Sequence, residues 1–185
     1  MEAKMIEVRF HGRGGQGAVT SAEIVAQAAI NEGLYAQAFP NFGPERRGAP
    51  VLAFLRVSDK PIRIRSKVYE PDVIVILDPT LLLSASPTAG LKKAGFVVIN
   101  SNKPGDELRK LFAGFKVASV DGSRIAREEM GVPITNTTML GSLVKATKLI
   151  DIKALDKPIK DRFGLIAQKN ISAYTRAFKE TVVME

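Results

Sequence analysis

The stretch MIEVRFHGRGGQGA, residues 5–18, sets an apolar segment directly ahead of a run of glycines. Residues 5–11 read as a buried strand and residues 12–17 as a turn. A helix over residues 18–31 follows, with Val19, Ala22, Val25, Ala26 and Ala29 on one face at the i, i+3, i+4 spacing. Asn31-Glu32-Gly33 supplies a helix stop, and residues 35–39 read as a second strand. This is a strand–loop–helix–strand unit of the kind that builds parallel sheets.

The turn satisfies the G-x-G-x-x-G template with Gly12, Gly14 and Gly17. Glycines let backbone N–H groups approach a pyrophosphate, and the start of the next helix adds favourable partial charge. No Lys-Ser/Thr follows the last glycine, which excludes a P-loop. An NAD site needs an acidic residue at the end of the second strand. That strand ends instead in Phe39-Pro40-Asn41, and Glu45 lies further on beside Arg46 and Arg47. An arginine pair there is suited to a ribose phosphate, and Arg13 is placed to join it. The loop therefore leaves two ligands open, NADP and coenzyme A, which both carry such a phosphate.

Beyond the proline- and glycine-rich loop over 40–50, residues 51–57 alternate as a strand. Residues 61–65 alternate again, so the two segments read as a hairpin. Residues 72–77, 95–100 and 115–120 are apolar runs suited to central parallel strands. Short helices fit residues 80–84 and 104–112, and longer ones 136–149, 152–163 and 165–181. The expected fold class is α/β: a three-layer α/β/α Rossmann-like sheet, mostly parallel with an antiparallel hairpin, plus C-terminal helices. One domain spans 1–185, with its helical part from about 134.

The chain has 185 residues, 45% hydrophobic and 25% charged, which fits a globular protein. No apolar run approaches the roughly 18 residues of a membrane span, and nothing resembles a signal peptide, so the expected location is the cytoplasm. The absence of cysteine excludes disulfides, thiolate zinc sites and cysteine-held iron–sulfur clusters in this chain. The net charge of +8 suits an anionic ligand or acidic partner. Nucleic acid is disfavoured, because no aromatic platform interleaves the basic residues. The one histidine, His11, has no visible catalytic partner. Asp78 ends a central strand, a good position for a ligand contact. With no G-x-S-x-G elbow either, the chain reads as a binding module and not a complete enzyme.

Several segments together carry a resemblance: RFHGRGGQGAVTSAEI, QAFPNFGPERRGAPV, KPIRI, EPDVIVILDPTL and PITNTTMLG. In this order they resemble the gamma subunits of 2-oxoacid:ferredoxin oxidoreductases, those acting on pyruvate foremost. The resemblance covers nearly the whole chain. It implies a multi-subunit enzyme that decarboxylates a 2-oxoacid, reduces ferredoxin and releases the acyl group on coenzyme A. Thiamine diphosphate, magnesium and iron–sulfur clusters are then expected on the partner alpha, beta and delta subunits, with none in this chain. No catalytic residue, nucleic acid or membrane is implied here. Carried onto this sequence, the coenzyme A loop comprises Gly12, Arg13, Gly14, Gly15, Gln16, Gly17 and Ala18. Arg46 and Arg47 match a basic pair in the second loop, and Asn136 and Asn170 match two asparagines of the family. The sibling enzymes for 2-oxoisovalerate, 2-oxoglutarate and indolepyruvate are the nearest alternatives. An independent NADP-binding oxidoreductase is the alternative of a different class.

Overall fold

The computed structural model describes residues 5–41 and 48–184. Among them one seven-stranded sheet runs in the order β2-β3-β1-β4-β5-β6-β7. The strands are β1 (Met5–Arg13), β2 (Tyr35–Pro40), β3 (Pro50–Ser58), β4 (Val73–Ile76), β5 (Phe96–Asn100), β6 (Lys116–Val120) and β7 (Val182–Met184). The helices are α1 (Ala18–Asn31), α2 (Leu81–Ser84), α3 (Gly105–Leu111), α4 (Gly122–Met130), α5 (Thr138–Thr147), α6 (Asp156–Phe163) and α7 (Ala167–Glu180).

Alternation along the strands builds two cores. Val8, Phe10, Val73, Val75, Val98 and Ala118 point to one side, where α1, α4, α5, α6 and α7 pack on them. Ile74, Ile76, Val97, Ile99 and Val117 point to the other and meet Leu108 and Phe112 of the α3 region. The expected α/β layering is therefore present. β1, β4, β5 and β6 are mutually parallel neighbours.

The antiparallel part differs from the expected hairpin. Residues 61–65 form no strand. Both edges of β3 are already occupied, by β1 (Val8↔Leu55) and by β2 (Ala38↔Leu55), which leaves no ladder for a third partner. Ile62 and Ile64 alternate with arginines, yet Ile62 is half-buried and Ile64 exposed, so the pattern marks neither a buried face nor a pairing. β3 also slots between β1 and β2, so the first strand–helix–strand unit is not a pair of adjacent parallel strands.

Two elements have no counterpart in the sequence reading. Helix α4 is capped by Asp121, whose side chain accepts from Arg124 N, and ends at Gly131 in the left-handed region at φ 78°. Strand β7 pairs antiparallel with β6 and closes that edge of the sheet. The predicted helix over 152–163 opens as a 3-10 turn, Ile152–Leu155.

The helical layer depends on one close approach. A Cβ on Gly141 of α5 would collide with the Tyr174 carbonyl oxygen and sit 2.8 Å from Phe178 N, both on α7. Gly141→Ala is expected to force these helices apart at a cost of about 2 kcal/mol or more. Urea unfolding should show a lowered midpoint with an unchanged slope, and an unaltered midpoint would refute the packing argument.

Candidate functional site

The chain leaves β1 toward the α1 side of the sheet and leaves β4 toward α2 on the other. Such a divergence opens a crevice at the carboxyl ends of the strands. The glycine loop lies there, opposite Asp78. Gly15 and Gly17 adopt φ 93° and 78°, conformations open mainly to glycine. Gln16 Nε2 donates to Asp78 Oδ2 at 2.9 Å, and Arg13 Nε pairs with the same oxygen at 3.1 Å. Thr80 Oγ1 donates to Asp78 Oδ1 at 2.6 Å. Burial alone would raise the Asp78 carboxyl. The bonds from Thr80 and Gln16 and the Arg13 charge outweigh it and hold the group below its usual range. Arg13 and Gln16 thus brace the loop to β4. The Gly14 amide is likewise engaged, donating to Ala49 O at 2.9 Å.

Helix α1 begins at Gly17 with no side-chain cap and no acidic residue in its first turn. Its leading amides and positive dipole end are therefore open to an anion. They border a cavity of about 390 Å³ that also meets Asn136, Asn170, Arg162 and Lys169. Asn136 is 8% exposed, and its side-chain amide has no hydrogen bond among the described residues. It packs so tightly on Gly17 that any Cβ there would overlap its Nδ2. Ser21 Oγ, on α1, donates to the Asn136 carbonyl at 3.2 Å and fixes this approach. Lys169 has no ion-pair partner among the described residues, whereas Arg162 pairs with Glu23 at 3.1 Å.

The structure brings Gly15, Gln16, Gly17, Asn136 and Asn170 to one cavity. Asn170 is committed to the fold, accepting from Thr137 Oγ1 at 2.7 Å and donating to Ile166 O at 3.0 Å. Gly12 and Ala18 serve close packing, since a Cβ on Gly12 would lie 3.4 Å from the Ala18 methyl. Arg46 and Arg47 lie outside the described residues. Arg162 and Lys169 were missed by the sequence reading. They look like ordinary basic residues of C-terminal helices until α6 and α7 fold back beside α1. Among the described residues no cluster of three or more histidine or acidic side chains is placed to hold a metal ion. None of their helices is long and apolar enough to cross a membrane.

Known proteins share this arrangement of elements. The chain is 55% identical to the pyruvate/ketoisovalerate oxidoreductases common subunit gamma of Thermococcus litoralis, over 98% of this chain and 100% of that one. It is 49% identical to pyruvate synthase subunit PorC of Methanocaldococcus jannaschii, over 95% and 97%. The crystal structure of pyruvate oxidoreductase subunit PORC from Thermotoga maritima superposes with a TM-score of 0.86 at 37% identity, covering 98% of this chain and 99% of that one. The pyruvate ferredoxin/flavodoxin oxidoreductase family model matches residues 7–180, and the chain belongs to that family.

Proposed function

We propose that this chain, a gamma subunit of the pyruvate/ketoisovalerate ferredoxin oxidoreductase type, supplies part of the coenzyme A site of a multi-subunit enzyme. The observation that carries this reading is the Asn136 side-chain amide, which lines the cavity without a hydrogen bond among the described residues, at the uncapped start of α1. An amide free to donate and accept at the cavity wall can bond a ligand's polar group without first breaking a protein hydrogen bond. The pyrophosphate suits the first-turn amides, with Lys169 supplying a free cation nearby. Val132, Ile134 and Ile166 line the same cavity and offer apolar contact to the pantetheine arm. Arg46 and Arg47 belong to the same proposal as a clamp for the ribose phosphate. NADP shares the phosphates but lacks that long flexible arm, so the apolar wall favours coenzyme A.

The reaction of the assembled enzyme is then pyruvate plus coenzyme A and oxidised ferredoxin giving acetyl-coenzyme A, carbon dioxide and reduced ferredoxin. Thiamine diphosphate with magnesium, and the iron–sulfur clusters, are assigned to alpha, beta and delta partners in the cytoplasm. No cysteine is present here to hold a cluster. Within the complex this chain would bind and orient the coenzyme.

Gly17→Ala strains the left-handed turn and drives a methyl into Asn136. It is expected to raise the KM for coenzyme A in the reconstituted complex by about tenfold while the chain stays folded by circular dichroism. An unchanged KM would sink the assignment of this cavity. Lys169→Gln is expected to weaken coenzyme A binding several-fold, read by calorimetry on the complex, and to flatten its salt dependence. Equal salt slopes for both proteins would remove Lys169 from the site. NADP displacing coenzyme A at equal concentration would favour the dinucleotide reading instead.

A further inference from the structure

A second cavity, of about 560 Å³, lies on the other face of the sheet from the glycine-loop cavity. Its polar wall is Arg9, His11, Asn41 and Ser86, and its apolar wall includes Leu52 and Leu81. Arg9 and His11 project away from Val8 and Phe10, which enter the helical core. Arg9 is 8% exposed, yet it has no carboxylate partner among the described residues. Its guanidinium donates to the carbonyls of Pro87, at 2.9 Å, and of Ala89. Its Nε donates to His11 Nε2 at 3.0 Å.

That last bond settles the state of His11. Nε2 accepts, so the imidazole is neutral and its proton sits on Nδ1. Burial, and after it the Arg9 charge, push the group down to about 3. No partner takes the Nδ1 proton among the described residues, and His11 lines the cavity. Asn41 Oδ1 is buried and unpaired as well. The cavity thus joins a buried cation lacking a counter-ion to an imidazole N–H, with the Asn41 amide oxygen left as an acceptor beside them. Buried charges are ordinarily paired, and buried polar atoms ordinarily bonded.

We propose that this cavity binds a short aliphatic monocarboxylate. The carboxylate would sit against Arg9 and His11, and its alkyl chain along Leu52 and Leu81. One negative charge balances the one guanidinium. A dianion such as phosphate would leave excess charge beside an aliphatic wall. The site is independent of the coenzyme A cavity, because the sheet separates them.

His11 is the only histidine in the chain, so one imidazole reports on the site. The full-length protein, labelled with nitrogen-15 at histidine, is titrated with isovalerate, isovaleramide and inorganic phosphate. Isovalerate is expected to move the His11 signals saturably, with a Kd on the order of 1 mM. The neutral amide should bind at least about tenfold more weakly, and phosphate should give no saturable shift. Ala85 lines the cavity but is exposed, so Ala85→Phe fills space without disturbing the core. It should weaken isovalerate binding about tenfold. The proposal fails if isovalerate gives no saturable shift up to about 50 mM. Amide or phosphate binding as tight as isovalerate, or unimpaired binding by Ala85→Phe, would overturn it equally.

Discussion

The Asp78 carboxylate is the fixed point of the glycine-loop end of this molecule. It closes β4 and gathers Arg13, Gln16 and Thr80 around two oxygens. A glycine-rich turn has little intrinsic preference for one shape, because each glycine surrenders more backbone freedom on folding than other residues. Side-chain bonds from Arg13 and Gln16 to a rigid strand end remove that freedom. The first turn of α1 is then held over one spot, and Ser21 seats it against the Asn136 carbonyl. Helices α5, α6 and α7 matter to the site because they carry Asn136, Arg162 and Lys169 to that spot.

The loop chemistry was partly legible in the sequence. A strand, glycines and a helix in series located the turn and the start of α1, since local backbone geometry dictates both. The roles of Arg13 and Gln16 were not legible, because their partner, Asp78, is more than sixty residues away. Arg13 looked like a phosphate ligand and is instead held by an acid. Asn136 and Asn170 entered through family resemblance, and local pattern could not separate them. One amide is tied to Thr137 and Ile166, and the other is without a side-chain bond among the described residues. The misplaced hairpin has the same origin. Alternation at residues 61–65 is a local pattern, whereas pairing depends on which strand edges remain vacant. Helix α4 did leave a signal in Asp121 and Gly131, a cap and a stop nine residues apart in helical length.

The sheet also divides the protein into two chemical environments. Along β1, Val8 and Phe10 face a dry helical layer, and Glu7, Arg9, His11 and Arg13 face the other side. There, Arg56 of β3 is 1% exposed and pairs with Glu7 at 2.8 Å while stacking near Phe39. Among the described residues no helix longer than the four-residue α2 borders that half of the second face. Polar side chains bonded to one another and to loop carbonyls do so, which is why a cavity with a polar floor persists beside strands otherwise built of valine and isoleucine.

The position of β1 within the sheet has a consequence for synthesis. Of the sheet's seven described strands it is made first, yet both its neighbours come later: β3 begins at Pro50 and β4 ends at Ile76. While the ribosome adds those residues, the apolar side chains of β1 and both its hydrogen-bonding edges have no native partner. Helix α1 is the earliest element able to shield them. A nascent chain shorter than about this length therefore exposes an adhesive strand, and its dependence on chaperones should ease once β4 emerges.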